Sequence, residues 1–181
     1  MARILALLLL LASPVFAQGA ADPATAVNAF YAVYQAQHPN GIPDATGRLR
    51  WSAVLTPRLN KLLVDAAGAQ GRMGARIKSA GPKAAVMPGL EGDIFTSFFD
   101  GASAWKPSVC LGDAKTQRCS VALTHAPMRP SDKPANWIDT LVVVNGPGGW
   151  KVDDVAYDAN FAFGNTGTLS GTLQMVTRLN P

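Results

Sequence analysis

Cysteine is nearly absent from this chain: among 181 residues only Cys110 and Cys119 occur. Further ligands at metal spacing are missing, and the eight residues between the pair do not make Cys-x-x-Cys. A zinc site and a dithiol redox motif are therefore excluded, and a structural bridge is left. Long apolar runs are also lacking. Ile4 to Leu11 is too short to cross a hydrocarbon core of roughly 30 Å, and nothing after it reaches the length of a span. The net charge is +4, yet basic residues never stand in a run, so nothing supports nucleic-acid binding. Internal repeats and low-complexity tracts are missing too.

What the first residues do contain is one positive charge, Arg3, ahead of that apolar run, then Ser13-Pro14 and the small-residue pattern Val15-Phe16-Ala17. This is the form of a signal peptide cleaved after Ala17. No cysteine follows the run, so the acceptor for a lipid anchor is missing. The expected product is a single domain, residues 18–181, that is periplasmic or secreted and carries no membrane anchor. Loss of Arg3 lowers the net charge from +4 to +3. In an oxidising compartment Cys110 and Cys119 should pair. Such a staple across a turn is worth about 2 to 3 kcal/mol by the chain-entropy estimate.

Asp22-Pro23 joins an N-cap acid to proline at the first helical position, and Val27, Phe30, Tyr31 and Tyr34 recur at helical spacing. This helix stops at His38, before Pro39-Asn40-Gly41. Thr56-Pro57 opens another, with Leu59, Leu62, Leu63 and Ala66 on one face. Gly68, Gly71 and Gly74 weaken it toward Ser79, and Arg48 to Val54 forms a helical turn ahead of it. Ala80 to Gly92 has loop composition. Beyond Gly101 the apolar period changes to two. Trp105 to Cys110, Cys119 to Ala126, Trp137 to Val144 and Trp150 to Tyr157 read as four strands, the last two joined through Asn145-Gly146-Pro147-Gly148-Gly149. Thr166 or Thr168 caps a final helix with Leu169, Leu173, Val176 and Leu179 on one side.

The sum is an α+β domain: N-terminal helices packed on one face of an antiparallel four-stranded meander, then a C-terminal helix. Trp137 to Val144 is apolar on both faces apart from Asp139 and Thr140. It is expected to be central, its second face covered by the last helix or by a second subunit, which would make a homodimer through the sheet.

Two sets of acids interrupt the apolar faces. Asp139 shares a face with Trp137, Leu141 and Val143, and a buried carboxylate needs a partner. A hairpin centred near Asp132 sets Val121 against Val143, Leu123 against Leu141 and His125 against Asp139. The last pair is either a base held by a carboxylate or a satisfied polar pair. In the final strand the apolar phase of Trp150 and Val152 slips before Val155 and Tyr157. A β-bulge there would turn both apolar sets inward and point Asp153 and Asp154 apart, as base or cation ligand, or as a bulge partner beside a solvated acid.

Tyr31 and Tyr34 either line a cavity above the sheet or simply pack, and Tyr157 is a further pocket candidate. His38 suits the C-terminal end of its helix. Asp93 to Asp100 reads as core and capping. No nucleophile, oxyanion donor or general acid completes a catalytic set, and no cofactor or metal motif is present.

The order of Ala29-Phe30-Tyr31-Ala32-Val33-Tyr34, Leu55 to Leu63, Asp93-Ile94-Phe95-Thr96 and Gly149-Trp150-Lys151-Val152-Asp153-Asp154-Val155-Ala156-Tyr157 resembles the bacterial domain of unknown function 3828. The resemblance spans nearly the whole mature chain. It implies an exported or lipid-anchored protein with a nuclear-transport-factor-2-like cone: helices wrapped against a curved antiparallel sheet, with a pocket between. This chain departs from many relatives in lacking the anchor cysteine.

Three functions follow as expectations. The first is a non-catalytic ligand-binding or protein-interaction module. The second is a pocket isomerase or hydrolase with Asp139 or Asp154 as base and Tyr31 as donor. The third is an immunity-type inhibitor of a toxin. An enzyme needs a cavity where an acid of raised pKa meets a donor, whereas a binding module needs an apolar cleft or patch.

Overall fold

Helix α1 (Pro23–Gln37) begins where the acid-proline pair demands, with the Asp22 carboxylate accepting the Thr25 amide at 2.8 Å. It ends at His38, whose left-handed backbone (φ 42°) returns its N–H to the Tyr34 carbonyl. The computed structural model describes residues 20–81, 90–129 and 131–181. The stretch read as a signal peptide and most of the one read as the Ala80 to Gly92 loop lie outside these residues.

The turn expected over Arg48 to Val54 is a full helix, α2 (Ala45–Val54), because Asp44 caps it by accepting the Gly47 amide at 2.7 Å. Its Trp51 is wholly buried and stacks on Phe95 with ring centroids 4.0 Å apart. Thr56 caps α3 (Pro57–Ala80), and the three glycines do not end that helix. Gly71 and Gly74 face open space. The far turns are held from outside: Arg72 donates to the Asn180 carbonyl at 3.0 Å and Arg76 to the Asn180 side chain at 2.9 Å.

The sheet follows the chain order β1 (Ala104–Gly112), β2 (Thr116–His125), β3 (Ala135–Gly146), β4 (Gly149–Tyr157) and β5 (Gly167–Thr168). It is antiparallel throughout and open. The short β5 is the fifth strand that the four-stranded reading lacked. It pairs with Ala156 and Tyr157 and leads into α4 (Leu169–Leu179), which Thr168 caps. The β3–β4 connection is tighter than the five-residue loop expected, because Gly146 already pairs with Gly149.

Cys110 and Cys119 are direct cross-strand partners and form the disulfide, beside a register shift between Pro107 and Cys110. Among the described residues no helix is long and apolar enough to cross a membrane.

Helix α1 crosses the sheet from β1 to β4, while α3 and α4 pack on each other and on β4. One hydrophobic cluster joins all four helices to the inner face, through Phe30, Trp51, Leu63, Leu123, Leu141 and Leu173 among others. Two expectations of the last helix fail here. Helix α4 buries Leu169, Leu173 and Val176 but leaves Leu179 53% exposed. Of the two covers expected for the second face of β3, it is not the one, and Ile138 there is 56% exposed within the single chain.

The β2–β3 register also differs from the expected one. Val121 pairs with Asp139, Leu123 with Trp137 and His125 with Ala135. His125 therefore does not meet Asp139. A slip by an even number of residues keeps every side chain on its own face, so alternation alone cannot select between these pairings.

Replacing both Cys110 and Cys119 by Ser should cost about 2 to 3 kcal/mol, since a bridge of sequence separation 9 restricts the unfolded chain. A lower urea midpoint with an unchanged far-ultraviolet spectrum is the expected reading.

Candidate functional site

Ahead of β1, residues 93–97 run through the interior without regular structure. Asp93, Ile94, Phe95, Thr96 and Ser97 are all at most 4% exposed. Such a segment needs partners for every peptide group, because buried backbone without them is costly. Side chains supply them.

Asp93 turns back on its own segment, its Oδ1 accepting the amides of Phe95 and Thr96, the latter at 3.0 Å. Its Oδ2 accepts the Tyr34 hydroxyl, whose oxygen in turn accepts the Ala102 amide at 2.7 Å. Asp139 reaches the segment from β3. Its Oδ2 accepts the Ser97 amide at 2.8 Å and the Trp137 indole N–H at 2.9 Å. Its Oδ1 accepts the Ser97 hydroxyl and the Asp158 amide.

Tyr157 donates to the Ile94 carbonyl, and the Asn165 side-chain amide donates to the carbonyls of Asp93 and Thr96. His125 Nδ1 donates to the Gly101 carbonyl at 2.7 Å. Gly101 has φ 76°, and a Cβ there would strike Tyr34 Oη and Asp93 Oδ2, so only glycine closes the turn.

Four sequence candidates thus meet, not at a reaction centre but around one buried segment: Tyr34, His125, Asp139 and Tyr157. The other three stand apart. Tyr31 is fully buried and stacks on Trp105, and its hydroxyl finds no partner among the described residues. Asp153 is the bulged residue, since Val142 pairs with Asp154 and Val143 with Val152. It forms an ion pair with Arg58 at 2.8 Å and accepts the Thr56 hydroxyl, pinning the start of α3 to β4. Asp154 accepts the Ser170 amide at 2.9 Å and its hydroxyl, at the N-terminus of α4. The phase slip therefore serves two helix starts.

Burial pushes the Asp93 carboxyl up to about 7, against the hydrogen bonds from Tyr34, Phe95 and Thr96. Burial raises Asp139 in the same way. The hydroxyls of Tyr31, Tyr34 and Tyr157 are all raised by burial first and by neighbouring carboxylates next.

Asp93 and Tyr34 border a cavity of about 570 Å³ together with His38, Asn40, Glu91 and Asp100. An acid of raised pKa beside a donor is the enzyme pattern. However, Asp93 has three of about four acceptor positions already filled by its own protein, which makes it an anchor and not a free base. No group of three or more His, Cys, Asp or Glu side chains is placed to hold a metal ion among the described residues.

A second cavity of about 780 Å³ lies between Phe98, Phe99 and Asp100 on one side and Phe161 to Gly164 on the other. Phe98 is wedged against Phe161 (4.7 Å between centroids), Trp137 and His125. Phe163 stands 88% exposed and Phe99 43% exposed at its mouth. Sequence reasoning passed over Phe161 and Phe163. Their one signal is a pair of aromatics in loop composition, Asn160-Phe161-Ala162-Phe163-Gly164, where nothing local requires them.

Asp139→Asn should lose roughly 1 to 3 kcal/mol in chemical denaturation, because either amide orientation aims N–H at a backbone or indole N–H that can only donate. Asp153→Asn should lose under about 1 kcal/mol, as its ion pair is partly solvated and the amide still accepts from Thr56 or Arg58. Asp93 gives a pH signature. Its folded pKa lies above the unfolded one, so the folded state holds the proton longer. Stability should fall as pH rises from about 4 to about 7, by up to about 1.4 kcal/mol per pH unit. Asp93→Asn keeps an acceptor for Phe95 and Thr96 and should flatten that slope, measured by urea midpoints across the range.

Comparison of the chain with family models, with curated proteins and with solved structures finds no match. The site is therefore interpreted from its own geometry.

Proposed function

We propose that this chain is an exported, non-catalytic binding module that takes an apolar group between the two phenylalanine-bearing loops. The observation that carries this reading is the cavity lined by Phe98, Phe99, Phe161 and Phe163. Apolar surface of this kind, left open to solvent, marks a binding cleft. The buried polar groups point the same way, because Asp93 and Asp139 are consumed in holding the segment that carries Phe98 and Phe99.

We further propose a cone of the nuclear-transport-factor-2-like type, of the domain of unknown function 3828 kind. Its support is the residues quoted above, the helices gathered on one face of the sheet, and the bulge of β4 together with the register shift between β1 and β2, both of which bend strands. The disulfide suits an oxidising compartment and so supports export.

The neutral fluorophore N-phenyl-1-naphthylamine tests the cleft. It should bind the full chain saturably, one per molecule. Phe163→Ser should weaken it about five- to tenfold, the loss of one aromatic contact, with no change in urea midpoint because that ring is exposed. Absence of saturable binding to the unmodified protein would remove the reading.

A further inference from the structure

The two cavities adjoin. Phe99 and Asp100 line both, so this pair stands between the apolar cleft and the cavity bordered by Glu91, Asp93, Asn40 and His38. The shared ring of Phe99 is fixed from below, since it lies directly on Gly92, where φ is 71° and a Cβ would enter the ring. One side of this aromatic ridge is almost wholly hydrocarbon, and the other is polar.

Among the described residues, the carboxylates that line the polar side face no lysine or arginine there. The chain holds 16 Lys and Arg against 12 Asp and Glu, yet no lysine or arginine is among the described residues lining either cavity. Glu91, the only glutamate in the sequence, stands exposed on the rim with Asp100. A basic protein therefore presents an acidic pocket next to an aromatic cleft. Such a field attracts a cation and repels an anion, and an exposed ring such as Phe99 adds the pull of its electrons on a positive charge.

Resting on the apolar-cleft reading above, we propose that the joint site binds a small organic cation with an apolar body, an aryl- or alkylammonium. The hydrocarbon part lies among Phe98, Phe161 and Phe163, and the ammonium lies beyond Phe99 toward Asp100 and Glu91. The two cavities are each of small-molecule size, about 570 and 780 Å³.

Three probes of one shape separate the contributions: 2-naphthylmethylammonium, the neutral 2-naphthylmethanol and the anionic 2-naphthoate, each titrated into the full chain by calorimetry. The ammonium should bind about five- to tenfold tighter than the alcohol, and the carboxylate weakest, the preference expected of partly solvated charge and cation–ring contacts. Asp100→Asn with Glu91→Gln should bring the ammonium down to the level of the alcohol while leaving the alcohol unchanged. Both side chains are exposed, so folding is not at risk. Phe163→Ser should instead weaken the ammonium and the alcohol by the same factor.

Equal affinity for all three probes, or a preference that survives the double acid variant, overturns the cationic proposal and leaves the apolar cleft standing. Failure of every probe to bind removes the cleft reading and the proposal with it.

Discussion

The hydrogen bonds that Asp93 and Asp139 accept from the backbone amides of residues 95–97 are the contacts on which the rest of this molecule depends. They allow an irregular stretch of chain to lie under α1 and against the sheet, where peptide groups have no water and no ladder to join. Once that stretch is fixed, Phe95 can stack on Trp51, Phe98 can fill the space beside Trp137, and Tyr34 and Tyr157 find acceptors for their hydroxyls. Each anchor comes from a different element: α1, β2, β3, β4 and the loop before β5. The segment therefore ties the whole domain together. The arrangement burdens itself with two acids away from water, and their raised pKa values follow from that burial.

The same clamp occupies the polar residues that stand in suggestive places. An acid, a tyrosine and a histidine converge, but their lone pairs and protons are spent on one another and on the backbone of residues 93–102. What the clamp leaves free is apolar: Phe99 held out on one side of the cleft, and Phe163 on the other. Rigid backbone beneath exposed rings is a reasonable way to build a binding surface, since the ordering cost is met in folding and not on association.

Much of the fold was legible. Asp22-Pro23 and Thr56-Pro57 placed two helix starts because capping is a local matter of one side chain and nearby amides. Period two in the second half gave the strands, and the phase slip at Asp153-Asp154 marked the bulge. Asp44 as a cap was passed over, so α2 was read too short. The ends of α3 and the covering of β3 were not legible either, because Arg72 and Arg76 meet Asn180 across more than a hundred residues of sequence.

Local chemistry, then, was determined by the sequence alone: which residues start helices, which stretches alternate, which two cysteines can pair, and that Asp139 needs a partner. The tertiary structure decided who that partner is. Ser97 comes from a segment with no periodicity to betray its burial, and the β2–β3 register that sets His125 aside differs from its rival by an even step that alternation cannot detect. The cleft was decided the same way. Phe98 and Phe161 are separated by a long stretch of chain and meet only because the clamp brings their loops together.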